Sequence, residues 1–369
     1  MEKLYLNRRE QVSYALRAIY ETYGYTRYEM SKFEEYDLYA RYGDSLISEG
    51  VITFTDLGGK LMALKPDVTL SIIKNGRNTQ GVQKVYYDEN VYRVPKGGDG
   101  FKEIAQIGLE CMGDIDDFSV AEVLRLAGES LKAIGGEAVL DVCHLGIISD
   151  IMDESEVSKA DRKEIARAIA EKNRHELYSA CIKAKMADDD AQLLCNVASV
   201  YGKPESAIAA LKNMLPEKYA SGIIKLEMIL DTLPAEIAAL INIDFSAASD
   251  FGYYNGIVFK GYILGVPTAV LSGGQYGKLM KKMSREGGAV GFAVYPDMLD
   301  RLSCDPAFDH DAILLYTEKE ELSDIAAAAE AIRLSGKTLM TAKEIPQKAK
   351  FKYIYKIENA EVRKLEENA

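Results

Sequence analysis

Gln106 and Glu110 stand four residues apart in Glu103-Ile-Ala-Gln-Ile-Gly-Leu-Glu110, with Gly108 midway between them. Side chains alternate along an extended chain, so both polar groups project from one face, roughly 13 Å apart. A glycine between them leaves room for a small molecule with a polar group at each end. The same alternation also describes an ordinary half-solvated strand, and the segment alone does not separate the two readings. Hydroxyl chemistry lies further along, in Ser249-Asp-Phe-Gly-Tyr-Tyr-Asn-Gly256, Ser272-Gly-Gly-Gln-Tyr-Gly277 and Ala289-Val-Gly-Phe-Ala-Val-Tyr-Pro-Asp-Met298. Each sets glycines, which let a backbone turn or approach a ligand closely, beside tyrosine or β-branched residues. They read as walls of one pocket or as a glycine-kinked sheet filled with tyrosine, and none offers a nucleophile, a metal box or a basic cluster.

The chain that must position these groups has 369 residues, enough for two or three domains with a full core. Apolar residues make up 48% and there are only 9 prolines, as in an ordinary globular protein. A net charge of −12 repels phosphate backbones, and no local basic patch stands out against it. Five cysteines, Cys111, Cys143, Cys181, Cys195 and Cys304, show no CxxC or Cys/His spacing and read as reduced thiols of a cytosolic protein. His144, His175 and His310 are too scattered to suggest a metal site. The first residues lack the apolar stretch of a signal peptide, and the most apolar run, 256–271, is broken by Lys260 and Pro267. That run is shorter than a membrane span, so the expectation is a soluble, cytoplasmic protein.

Val12, Leu16, Ile19, Tyr20 and Tyr23 recur at helical spacing before Gly24, which predicts an amphipathic first helix. A short strand is expected at 25–28, and a hairpin where 51–54 and 61–64 flank the turn residues 55–60. The Gly-Gly-Lys60 in that turn is not a phosphate loop, because the second glycine spacing and the hydroxyl after lysine are missing. Strands are expected at 84–93 and 103–112, joined by a flexible loop, then a helix over 118–135 and a strand over 139–143. Helical periodicity runs through 145–241, with a capping box at Ser158-Lys-Ala-Asp161, and has the size of a domain. After residue 302 a linker leads to a small α/β module with strands at 312–316, 338–341 and 353–357 and a helix at 318–335.

In this order, Leu64-Lys-Pro-Asp-Val-Thr69, Lys84-Val-Tyr-Tyr with Val91-Tyr-Arg93, the strand ending at Glu110, the helical insertion, Tyr253-Tyr-Asn-Gly256, Gly273-Gly-Gln-Tyr276 and Val290-Gly-Phe-Ala293 resemble the class II histidyl-tRNA synthetase core. The resemblance runs over nearly all of residues 1–302. It implies an α+β fold: an antiparallel sheet flanked by helices, a helical insertion at about 145–241, a small C-terminal α/β module at 307–369, and a homodimer formed through the core. It also implies a histidine site. Asp67 and Thr69 would hold the amino group, Gln106, Glu110, Tyr254 and Tyr276 the rest of the ligand, with Arg93 retained and Gly273 and Gly274 permitting close approach. A carboxylate suits an ammonium, and Glu110 with tyrosine hydroxyls suits the two imidazole nitrogens.

Two departures remove positive charge. Where the synthetases carry an arginine before the tyrosine pair this chain has Ser249, and where an arginine clamps ATP after the GFA element it has Met298. Adenylate formation depends on such preorganised cations. Ser31 replaces the dimer-motif proline, Gly277 replaces the acid of GGRYD, and the C-terminal module is short for an anticodon-binding domain. A core that keeps the pocket and loses these arginines is similar to the HisZ family, the regulatory subunits of ATP phosphoribosyltransferase. That resemblance implies a catalytically silent chain, without cofactor or metal, that binds L-histidine and joins a short-form catalytic subunit in a hetero-oligomer, expected as a hetero-octamer. It would activate that subunit and take part in feedback inhibition of histidine biosynthesis. No phosphoribosyltransferase-type phosphate loop is found, so the active site would be the partner's; tRNA and membrane are not expected partners. A divergent active synthetase and an interaction paralogue with a vestigial pocket are the other readings.

Overall fold

The larger part of the chain contains twelve strands. In order they are β1 (Thr26–Arg27), β2 (Phe33–Glu35), β3 (Thr53–Thr55), β4 (Leu61–Leu64), β5 (Val82–Arg93), β6 (Lys102–Gly113), β7 (Ala138–His144), β8 (Tyr201–Gly202), β9 (Ile241–Asp244), β10 (Ile257–Ile263), β11 (Leu271–Gln275) and β12 (Gly288–Val294). The structure, a computed structural model, describes residues 7–42, 50–76, 81–94, 100–247, 253–302, 308–347, 349–358 and 360–367. They form two compact units, Met1–Arg301 and Leu302–Ala369.

Among the described residues, nine of those strands make one sheet in the order β1-β5-β6-β12-β11-β10-β7-β9-β8, and β2-β4-β3 make a small second one. The large sheet is antiparallel at its centre, as a class II synthetase-like sheet should be, and parallel at β1–β5 and β7–β9. Helices α1 (Arg8–Thr22), α2 (Tyr36–Tyr42), α3 (Thr69–Asn75) and α4 (Asp117–Ile134) lie among the first strands. Asn7 and Glu10 close a capping box at the start of α1, and Asp116 and Ser119 do the same for α4. Such reciprocal caps satisfy the first orphan amides of each helix.

Helices α1 and α4 cover one face of the sheet. Tyr20 of α1 meets Phe292 of β12 edge-on at 6.0 Å, and Leu131 of α4 comes so close to β10 that a Cβ at Gly261 would lie 2.8 Å from it. Leu109, Phe259, Leu140 and Val142 are buried on this face. The opposite face therefore carries Gln106, Gly108 and Glu110. A helical insertion runs from α5 (Leu145–Glu154) to α11 (Ala235–Ala238), and α12 (Gly277–Lys282) follows β11.

The second unit contains β13 (His310–Leu315), α13 (Leu322–Leu334), β14 (Leu339–Ala342), β15 (Phe351–Glu358) and β16 (Glu361–Glu367), in the sheet order β14-β13-β15-β16. Its helix starts later than the periodicity predicts, because Glu320 accepts the Thr317 amide and hydroxyl and folds 317–320 into a turn. Strand β16 is not anticipated at all. Every residue in it is exposed, so no apolar pattern marks it, and it forms by antiparallel pairing with β15.

Candidate functional site

The site begins where β4 gives way to α3. Asp67 Oδ1 accepts the Leu70 amide at 2.8 Å, which ties down the first turn of α3 and fixes Thr69 within it. Thr69 donates its hydroxyl to Glu110 Oε1 at 2.8 Å. The other Glu110 oxygen accepts the hydroxyl of Tyr276, at the end of β11. Strand register puts Gly291 of β12 opposite Glu110, and Gly274 of β11 opposite Gly291. A Cβ at Gly291 would lie 1.8 Å from Glu110 Oε2, so only glycine lets β12 pass the carboxyl. At Gly274 a Cβ would lie 2.9 Å from the Tyr254 ring. Tyr253 stacks on Tyr276 at 5.5 Å and 20°, and meets Tyr254 edge-on at 4.4 Å.

Charge is scarce here. Glu110 is 2% exposed and its described partners are both hydroxyls. Burial pushes its carboxyl up to about 8, the negative charge of Asp67 adds to the push, and the bonds from Tyr276 and Thr69 only partly oppose it. Tyr276 and Tyr253 are held well above the ordinary tyrosine value by burial, with Glu110 nearby reinforcing both. Asp67 is also pushed up by burial, but Arg93 and backbone amides restrain it. The Arg93 guanidinium lies 3.8 Å from Asp67 Oδ2, and its Nε donates to the Pro66 carbonyl at 2.8 Å. At one end a carboxylate pairs with a guanidinium; at the other a carboxyl meets two hydroxyls.

Thr69, Glu110 and Tyr276 are thus bonded together, with Asp67 and Arg93 beside them and Tyr254 on the tyrosine stack. Gln106 is buried on the same strand face. The space at Gly108 belongs to protein, not ligand: a Cβ there would lie 2.5 Å from the Tyr87 hydroxyl and 2.3 Å from the Phe292 carbonyl. That corrects the expectation of an open gap between Gln106 and Glu110, because register sets Tyr87 directly opposite Gly108. Gly273 faces the helix-covered side, where a Cβ would lie 2.3 Å from Phe292 Cβ, so of the two expected glycines only Gly274 lies against the pocket's tyrosines. Met298 sits beyond the end of β12 with its sulfur 3.5 Å from the Thr268 hydroxyl. Ser249 lies outside the described residues.

Sequence reasoning passed over Gly291, Tyr253 and Tyr87. Gly291 is the glycine of the Val-Gly-Phe-Ala element, and cross-strand register with Glu110 is the signal that marks it. It also passed over Lys65, fully buried and paired with Glu89 at 2.8 Å next to this loop. Among the described residues no group of three or more His, Cys, Asp or Glu could hold a metal, and no helix is long and apolar enough to cross a membrane.

Residues 5–299 match the family model described as histidyl-tRNA synthetase, and the chain belongs to that family. A histidine–tRNA ligase of Methanocaldococcus jannaschii is 27% identical over 90% of this chain and 81% of its own length. An ATP phosphoribosyltransferase regulatory subunit of Oceanobacillus iheyensis is 25% identical over 75% of this chain and 70% of its own. The solved structure of an ATP phosphoribosyltransferase regulatory subunit/histidyl-tRNA synthetase from Bacillus halodurans covers 95% of this chain and 93% of its own, at 20% identity and a TM-score of 0.76. A chain of the ATP phosphoribosyl transferase (HisG:HisZ) complex from Thermotoga maritima covers 78% of this chain and 97% of its own, at 19% identity and a TM-score of 0.60. The fold is that of the histidyl-tRNA synthetase core, and the chain resembles both the ligases and the regulatory subunits built on it.

Proposed function

We propose that this chain is the non-catalytic, histidine-binding regulatory subunit of an ATP phosphoribosyltransferase, a cytoplasmic protein that activates a short catalytic partner and takes part in its inhibition by histidine. The observation that carries this reading is a disparity within one motif set. The polar groups suited to histidine, Asp67, Thr69, Glu110, Tyr254 and Tyr276, stand together, while the positions where the synthetases clamp ATP hold Ser249 and Met298. An uncharged residue at each leaves the developing phosphate charge of adenylate formation without its cations, each typically worth about 3 kcal/mol or more. Relatives named as regulatory subunits, and a structural neighbour from a two-component complex, support the same reading.

The test is to mix the full chain with a short-form phosphoribosyltransferase and follow turnover. The expected result is activation by this chain and loss of that activation as L-histidine is added. Unchanged turnover in both conditions contradicts it. A second reading, an active histidyl-tRNA synthetase, is favoured by the 27% identity to an archaeal ligase over 90% of the chain. Histidine-dependent exchange of pyrophosphate into ATP would establish that reading and remove the first.

A further inference from the structure

A cavity of about 210 Å³ lies where the helical insertion meets the β8–β9 edge of the large sheet. It is bounded by the turn between α6 (Lys159–Ala170) and α7 (Arg174–Lys183), by the end of α8 (Asp188–Ala198) and by β8 and β9, and it shares no lining residue with the cluster around Glu110. Ile169 and Leu177, both buried, give it an apolar lining. Tyr201 adds an aromatic ring that is 61% exposed, and its hydroxyl accepts the Asn242 side-chain amide at 3.2 Å, which steadies the ring.

Three lining residues are charged, and they do not balance. Lys172 Nζ lies 2.5 Å from Asp244 Oδ2 and 4.8 Å from the centre of the Tyr201 ring. The other Asp244 oxygen accepts the Ser246 amide at 2.8 Å, so the buried carboxylate is already neutralised and bonded. Arg174 has no such counterpart. Its guanidinium donates to the Cys195 carbonyl and the Ser199 hydroxyl, each at 3.1 Å, and to Asn196 Oδ1 at 2.8 Å, all neutral acceptors. No ion pair reaches it among the described residues, and the acids nearest in the chain, Glu171 and Glu176, pair with Arg167 at 3.5 and 3.6 Å. A solvated arginine on an open surface is free to turn; this one is tied at both Nη atoms and lines a concave space beside an aromatic ring. In a chain of net charge −12 the cavity therefore carries one fixed, unbalanced positive charge.

We propose that this cavity binds a small organic anion, a carboxylate or phosphate monoester on a single flat ring. Arg174 and Lys172 take the anionic end, because a guanidinium and an ammonium give charge-assisted bonds to either group. Tyr201 and the apolar lining take the ring, which stacks on an aromatic face. The volume falls below the roughly 300 Å³ at which drug-sized pockets begin, which suits a one-ring metabolite and excludes a dinucleotide.

The test is calorimetric titration of the full chain, in phosphate-free buffer, with phenyl phosphate, benzoate and inorganic phosphate. At least one ring-bearing anion should bind at about 1 mM or tighter, and inorganic phosphate about tenfold more weakly for want of the ring. A preference for phenyl phosphate assigns the site to phosphate monoesters; a preference for benzoate assigns it to carboxylates. Arg174→Gln should weaken every anion by about tenfold. Tyr201→Leu, at an exposed position, should bring the ring-bearing anions down to the level of inorganic phosphate and leave the latter unchanged. Should Arg174→Gln fail to fold, Tyr201→Leu decides. Arg167→Gln, outside the cavity, should bind as wild type does. Absence of binding by both ring-bearing anions at about 10 mM, equal binding in Tyr201→Leu, or an equal loss in Arg167→Gln overturns the proposal.

Discussion

Two buried glutamates flank helix α3 with nearly the same partners. Glu34 on β2 accepts hydroxyls from Tyr39 and from Ser71 of α3, and Glu110 on β6 accepts them from Tyr276 and from Thr69 of α3. What differs is the neighbouring strand. Opposite Glu34 stands Ala63, fully buried, and the cluster closes on itself. Opposite Glu110 stands Gly291, then Gly274, with the rings of Tyr254, Tyr253 and Tyr276 against them. A tyrosine–carboxyl–hydroxyl cluster is therefore a structural fastening in one place, and beside a row of glycines a candidate binding site in the other.

Substitution at Gly291 should break the second arrangement most severely. Gly291→Ala drives a methyl into the Glu110 carboxyl and should cost about 3 kcal/mol of stability, with loss of histidine binding. Denaturant unfolding and calorimetry read the two effects; wild-type values for both would mean that β12 does not pass as closely as described. Glu34→Ala should cost about 2 to 3 kcal/mol, since two buried hydroxyls lose their acceptor, yet leave histidine affinity within about twofold of wild type. A large fall in affinity there would dissolve the contrast between the two clusters.

Glu110→Gln sharpens the comparison through pH. The folded-state value of Glu110 is raised to about 8 from an unfolded value near 4.5, so the folded state binds the extra proton between those limits. Stability of the wild type should therefore fall as pH rises through that window, by about 2 kcal/mol between pH 5 and pH 7, and level off above about 8. Thermal unfolding of Glu110→Gln should lack this slope, leaving the variant more stable than wild type above neutrality; parallel curves for the two proteins would contradict it. The smallest effects belong to Asp67. Asp67→Ala should cost about 1 kcal/mol through the lost α3 cap, and Asp67→Asn under about 0.5 kcal/mol, because an amide oxygen still caps. Both should weaken histidine binding by about tenfold, as expected for a lost ammonium partner worth about 1.4 kcal/mol.

Much of the frame was legible because burial imposes periodicity. The spacing of Val12, Leu16 and Tyr20 marks α1, which buries one face, and the runs 84–93 and 103–112 mark β5 and β6, although β6 is buried on both faces over 105–112. Strand β16 was illegible for the converse reason: it buries nothing, and only pairing with β15 makes it a strand. At the site, residue types were legible through their motifs, but mutual geometry was not. Nothing local reveals that Arg93 grips the Pro66 carbonyl or that Gly108 makes way for Tyr87. Those facts depend on which strands lie side by side, and that order is set by the whole sheet.

The central question is whether the polar cluster around Glu110 holds histidine. Melting of the full chain against rising L-histidine measures this, with Glu110→Ala as the reference. At about 100 times the dissociation constant the ligand should add about 2.7 kcal/mol to the wild type and nothing measurable to the variant. An unmoved wild-type melting curve, or the same gain in Glu110→Ala, would contradict it.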